Sequence, residues 1–110
     1  MEFTIRIEEG FTIVALSGEV DLHYSPQARE QILRCLGDKN NVLVDLSAVE
    51  YIDSSGIASL VEGYQLARNN NLKFGLIDVS NPAMQVLQLA RLDTVFPIHK
   101  SAKDRMEHDR

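Results

Sequence analysis

Four consecutive residues, Asp53-Ser54-Ser55-Gly56, bring together a carboxylate, two hydroxyls and a residue with no side chain. They follow an apolar run, Val42-Leu43-Val44-Asp45-Leu46, that reads as a buried strand. They precede an apolar series at helical spacing: Ile57, Leu60, Val61, Tyr64 and Ala67. A strand end therefore meets a helix start. Open α/β folds place their chemistry at the carboxyl ends of strands. A helix start presents free backbone N–H groups and a positive dipole end. Asp and Ser are good N-caps, and any helix here needs one. Three such residues followed by glycine exceed that need. Gly56 also lets another backbone or a bulky group approach Ser55. A phosphoryl group on Ser55 would put roughly −2 charge at the positive helix end. Modification there would change the surface a partner meets without unfolding the helix.

Other chemistries are poorly served. The chain has no GxxxxGK[ST] run and no GxGxxG, so it lacks the known phosphate-cradling loops. Neither Ser54 nor Ser55 sits in GxSxG. A Ser-His-Asp triad would have to recruit His23 or His99 from a distance, and His108 lies in the tail. Cys and His show no metal-ligand spacing. Asp21, Asp45 and Asp53 lie at or near strand ends and could hold Mg²⁺ as in a phosphate-receiver domain. That arrangement wants adjacent acids after the first strand, and the pair is missing.

The elements that must position these groups follow from patterning. Phe3, Ile5 and Ile7 alternate with polar residues, giving a strand with one covered face. Glu9-Gly10 is a turn, and Thr12 to Leu16 a second strand that closes an antiparallel edge hairpin. Residues 17–24 read as a loop. Ser25-Pro26 reads as N-cap and first helical residue, with Ala28, Ile32, Cys35 and Leu36 inward and Gly37 as the stop. Val42 to Leu46 asks for cover on both faces, as in a parallel sheet. In the next helix Ser59, Glu62, Gln65 and Arg68 form the polar face, and Gly63 costs about 1 kcal/mol relative to Ala. Leu72 to Val79 is a fourth strand. Ser80-Asn81-Pro82 opens a third helix lined by Met84, Val86, Leu87 and Ala90. Thr94 to Ile98 is a short last strand weakened by Pro97. Lys100 to Arg110 is either a short helix carrying Met106 inward or a frayed tail. The order β-β-α-β-α-β-α-β-(α) predicts an α/β fold with a four- to five-stranded, mostly parallel sheet. It has an antiparallel N-terminal edge strand and about four helices.

Bulk properties narrow the class. A chain of 110 residues with 45% apolar content forms one domain with a real core. A net charge of −5 argues against nucleic acid or an anionic membrane as the main partner. No apolar stretch approaches the ~20 residues of a membrane span. The N-terminus lacks a basic start and apolar core, so no signal peptide is read and a cytoplasmic location is expected. The lone Cys35 forms no internal disulfide, which fits a reducing compartment, and it reads as a buried helix residue.

At this point the sequence resembles the anti-sigma factor antagonists of the STAS domain family. The resemblance is carried by Gly18-Glu19-Val20-Asp21-Leu22, Ser25-Pro26, Val44-Asp45-Leu46-Ser47 and above all Tyr51-Ile52-Asp53-Ser54-Ser55-Gly56-Ile57. It implies a single STAS domain over residues 1–110, with a core from about 3 to about 100 and a charged tail or short helix from 101 to 110. It implies a switch rather than an enzyme, with no cofactor. Ser55, the serine immediately before the glycine, is the implied phosphoacceptor. The implied partners are an anti-sigma factor that is also a serine kinase using ATP, and a PP2C-type phosphatase that reverses the modification. Unphosphorylated protein binds the anti-sigma factor and frees a sigma factor. Asp53 and Gly56 match the flanking positions, with Ser54 and Ile57 beside them. Asp21 matches an acidic position in the loop on the same face, and His23, Tyr24 and Ser25 are further candidate contacts. A monomer is implied for the free protein. Other STAS proteins are adaptors or scaffold subunits (stressosome-like, two-component-linked or transporter-associated), and that reading stands as the alternative.

Overall fold

The structure is a computed structural model in which residues 1–107 are described. Strand β1 (Glu2–Glu8) turns through Glu9 and Gly10, at φ 45° and 87°, into β2 (Phe11–Val20). Two successive left-handed residues suit a tight hairpin between right-twisted strands. The two strands pair antiparallel, with Ile5 opposite Val14. All further pairing is parallel. Strands β3 (Asn41–Ile52), β4 (Phe74–Ile77) and β5 (Ile98–His99) follow in the order β1-β2-β3-β4-β5. Helices α1 (Ser25–Gly37), α2 (Ser54–Asn69) and α3 (Asn81–Leu89) make the crossovers, and α4 (Ala102–Glu107) ends the described chain.

The larger core joins Val14 and Leu16 of β2, Val42, Val44 and Leu46 of β3, and Leu76 of β4 to buried residues of α1, α2 and α3. The three crossover helices therefore share one face of the sheet, as a sheet order that advances in one direction requires. On the other face Phe11, Ile13, Leu43 and Ile77 pack under Ala102 and Met106 of α4. This explains the near-continuous apolar run of β3: alternate residues meet different layers. Asp45 interrupts the run on the α4 side, where Arg6 of β1 reaches it at 3.7 Å. Gly63 marks close helix packing, since a Cβ there would stand 2.8 Å from Ile32 of α1 and 3.1 Å from the Phe74 ring.

Several elements differ from their sequence reading. β2 does not end at Leu16. Residues 17–20 continue it, paired with β3 through register shifts at Ala15/Ser17 and Gly18/Glu19 that break the alternation. β3 likewise runs on to Ile52. β4 is trimmed at both ends by left-handed residues, Asn71 (φ 58°) and Asp78 (φ 50°). The last strand begins at Ile98 rather than Thr94. Residues 92–96 form a turn in which Val95 and Phe96 donate to the Leu92 carbonyl, and Pro97 contributes only its carbonyl, to Leu76 at 2.8 Å. Ser25 is not the N-cap of α1 but its first residue, and Tyr24 holds the cap position without a side-chain bond. Of the two readings of the C-terminal stretch, the short helix holds for 102–107, with Met106 against the second core. His108 and the rest of the expected tail lie outside the described residues.

Candidate functional site

The ends of β2 and β3 come together where Val20 pairs with Ile52, and both chains then leave the sheet. One enters a turn over residues 21–24. The other enters α2 through Asp53. Asp21 shapes the turn. Its Oδ1 accepts the N–H groups of His23 (3.0 Å) and Tyr24 (3.1 Å), and its carbonyl accepts that of Ser25 at 2.7 Å. The donors that a Ser25 cap would serve, the Gln27 and Ala28 N–H groups, go instead to the Tyr24 carbonyl at 3.0 and 3.3 Å, so the helix starts one residue earlier with Ser25 inside it. Leu22 and His23 are exposed, and the His23 ring meets Tyr24 edge-on at 4.6 Å.

Asp53 has extended backbone and caps α2. Its Oδ1 accepts the N–H groups of Ser55 at 2.9 Å and Gly56 at 3.2 Å, together with the Ser55 hydroxyl. Its Oδ2 accepts the Leu22 N–H at 3.2 Å. The Ser55 hydroxyl, countered by burial, and the N–H donors of Gly56, Ser55 and Leu22 hold this carboxyl below the usual carboxylate range. Asp53 is therefore the capping residue among the three candidates. That leaves Ser54 exposed on the first helical turn and Ser55 half-buried with its hydroxyl fixed.

Gly56 has a different reason for being glycine. A Cβ there would lie 2.6 Å from the Val20 carbonyl oxygen and 2.6 Å from Ile52 Cγ1. The close backbone that the sequence anticipated is the chain's own. Gly56, Ile57 and Ser25 are buried, so they support this surface from beneath, whereas Asp21, His23, Tyr24, Asp53, Ser54 and Ser55 retain exposure. Two participants escaped the sequence reading. Ser59, assigned to the polar face of α2, is buried and donates to the carbonyls of Ser55 at 3.2 Å and Ser25 at 3.4 Å, joining α2 to α1. Its spacing of four from Ser55 was the available signal. Leu22 enters through its backbone N–H and carries an exposed side chain; Tyr51, at the end of β3, is exposed as well.

The other constellations do not assemble. Asp45 is held by Arg6 and by the Ser47 N–H, on the α4 side of the sheet. His99 sits in β5 with Nδ1 4.0 Å from Asp104. Among the described residues no group of three His, Cys, Asp or Glu could hold a metal ion. No described helix is long and apolar enough to cross a membrane. Cys35 is buried, and burial pushes its thiol pKa up.

Comparison with known proteins gives a consistent picture. The protein-family model described as STAS domain matches residues 2–104. An anti-sigma F factor antagonist of Paenibacillus polymyxa is 28% identical over 103 residues, covering 90% of this chain and 88% of that protein. A probable sulfate transporter of Arabidopsis thaliana is 34% identical over 83 residues, covering 72% of this chain but 13% of that protein. The crystal structure of an anti-sigma factor antagonist from Mycobacterium paratuberculosis superposes with a TM-score of 0.84 at 25% identity, covering 97% of this chain and 92% of that one.

Proposed function

This chain belongs to the STAS domain family, and we propose that it is an anti-sigma factor antagonist switched by phosphorylation of Ser55. Unphosphorylated, it binds an anti-sigma factor that is also a serine kinase and so releases a sigma factor. Phosphorylation from ATP abolishes binding, and a PP2C-type phosphatase restores it. The protein acts in the cytoplasm and is a monomer when free. The contact surface is the turn 21–24 together with the first turn of α2.

The observation that carries this reading is the state of the Ser55 hydroxyl. It is half-buried, satisfied by Asp53, and set in the first turn of a helix whose neighbouring turn exposes Leu22. A neutral, satisfied hydroxyl can enter a packed interface at small cost. A phosphate there must be desolvated beside the Asp53 carboxylate, and an unpaired buried charge costs several kcal/mol. Each 1.4 kcal/mol is tenfold in affinity, so one modification suffices for an on/off switch. The likeness to the Paenibacillus polymyxa antagonist, over nearly the full length of both chains, supports the choice of partner.

The test measures binding of purified Ser55→Ala, Ser55→Asp and phosphorylated protein to the anti-sigma kinase of the native host. The expected result is tight binding by the alanine form and at least tenfold weaker binding by the other two. The match to a plant sulfate transporter favours a second reading, a STAS adaptor whose partner is not a sigma regulator. That reading predicts binding that survives both Ser55→Asp and phosphorylation.

A further inference from the structure

The Asp53 carboxylate serves two elements at once. Oδ1 takes the donors of α2, and Oδ2 takes the Leu22 N–H of the turn between β2 and α1, at 3.2 Å. A helix cap needs only one acceptor, and Asn or Ser would serve α2 as well. Leu22 needs the second oxygen. In asparagine that position is an NH₂ group, which donates and cannot accept. The turn is fastened at both ends by bonds independent of this side chain. The Asp53 N–H donates to the Val20 carbonyl at 3.3 Å, and Ser59 Oγ donates to the Ser25 carbonyl at 3.4 Å. Between those anchors Asp21 fixes the local shape of the turn through His23 and Tyr24. The Leu22–Asp53 bond ties the middle of the turn to α2.

We infer that Asp53 is a positioning residue that transmits the modification state of Ser55 to the turn 21–24, so that the switched surface includes Leu22 and His23 as well as the phosphoryl group. This rests on the proposal that Ser55 is phosphorylated. Transfer of the γ-phosphoryl group of ATP forms an Oγ–P bond, breaks the bond from that phosphorus to the oxygen kept by ADP, and releases the hydroxyl proton. Ser55 Oγ then has no proton to give Asp53. The new oxygens carry roughly −2 charge and compete for the same helix N–H groups. Two anions contest one helix end, the carboxylate leaves its place, and the Leu22 N–H loses its acceptor. Leu22 is 75% exposed, so a shift of this turn moves an apolar group on the surface offered to a partner.

The experiment records backbone amide resonances and amide hydrogen exchange on the full chain in three forms: unmodified, carrying phosphoserine installed at position 55 during translation, and Asp53→Asn. The asparagine side chain can still cap α2, so this variant breaks the Leu22 bond and spares the helix. The expected result is that Leu22, His23 and Tyr24 amides shift in both altered forms, with Leu22 exchanging at least threefold faster, while Val49 and Leu60 stay unchanged. The inference is overturned if phosphorylation moves only residues 54–57, or if Asp53→Asn leaves the Leu22 amide in place. Because phosphoserine is installed without any kinase, these outcomes are independent of the binding test for the function itself.

Discussion

The carbonyl oxygen of Val20 stands 2.6 Å from the point a Cβ on Gly56 would occupy. The same carbonyl accepts the Asp53 N–H at 3.3 Å. The end of β2 and the first turn of α2 are thus packed backbone against backbone. Ser55 is the residue immediately before that contact, so its position depends on Gly56 as much as on its own cap.

Gly56→Ala should therefore destabilise the fold. The added methyl meets a carbonyl oxygen, Ile52 Cγ1 and, at 3.0 Å, Val20 Cγ1, and the carbonyl is backbone. Overpacking of this kind costs about 1–3 kcal/mol, occasionally more. Gly37→Ala is the matched opposite. Nothing lies within 4 Å of its Cβ and its φ is not left-handed, so the change removes unfolded-state freedom alone. It should stabilise by about 0.4–1 kcal/mol. Urea midpoints of the two variants should fall on either side of the parent, and two shifts of the same sign would contradict the packing assigned to Gly56.

Ser55→Ala should change the titration of Asp53. The Ser55 hydroxyl is the largest cause of that carboxyl's lowered pKa. A carboxyl depressed in the folded state contributes stability that is present above its unfolded pKa, about 3.9, and lost as pH falls through the folded value. Removing the hydroxyl moves the folded value upward. The Asp53 carboxyl carbon, followed by NMR, should titrate at higher pH in Ser55→Ala, and acid unfolding should begin earlier. An unchanged titration would mean that the backbone donors alone hold the carboxylate.

The legible parts of this chain were those whose signals are local. The alternation of Phe3, Ile5 and Ile7 and the Asp-Ser-Ser run before Ile57 each report on their own element, and both elements are present. The covered face expected of the first strand is not, since on this edge strand Ile5 and Ile7 are 45% and 76% exposed. What was not legible depends on partners distant in the chain. Residues 17–20 look like a loop because two register shifts spoil the alternation, and the strand exists through pairing with residues 48–52. Ser25 looks like a cap because Ser-Pro is a local signal, but the turn closed by Asp21 starts the helix one residue earlier, and the Gln27 and Ala28 N–H groups go to the Tyr24 carbonyl. Ser59 looks solvent-facing until α1 is laid against α2, since its second acceptor is 34 residues away. The Leu22 N–H leaves no trace in residue types, because any residue but proline carries that donor. The sequence required a cap among Asp53, Ser54 and Ser55 without choosing between them, and both the choice of Asp53 and the contacts that join it to the turn required the fold.

Asp78→Asn should stabilise the protein at neutral pH. Asp78 is exposed as a whole, but partial desolvation of its carboxyl and the nearby Asp45 charge raise its pKa, with Arg6 pulling the other way. A carboxyl raised in the folded state opposes folding above its unfolded pKa, and the penalty grows until pH passes the folded value. Asparagine removes the charge and tolerates the left-handed backbone found there, φ 50°. The urea midpoint of the variant should exceed that of the parent at pH 7, and the gap should close toward pH 3. A gap that persists at pH 3 would assign the effect to something other than charge.

Aspartate at the two adjacent serines should separate stability from switching. Ser54 is exposed in the first turn of α2, where a carboxylate faces the positive end of the helix and is worth about 0.3–1 kcal/mol. Ser54→Asp should raise the melting temperature slightly or leave it unchanged. Ser55→Asp puts a second carboxylate against Asp53 Oδ1 and removes the hydroxyl donor that this oxygen accepts. It should lower the melting temperature, because two anions then contest the same helix donors. In binding to the anti-sigma kinase proposed as its partner, Ser55→Asp should lose at least tenfold and Ser54→Asp less than threefold. Equal losses at both positions would point to general acidification of the surface, and the special place of Ser55 would then rest on its chemistry as an acceptor alone.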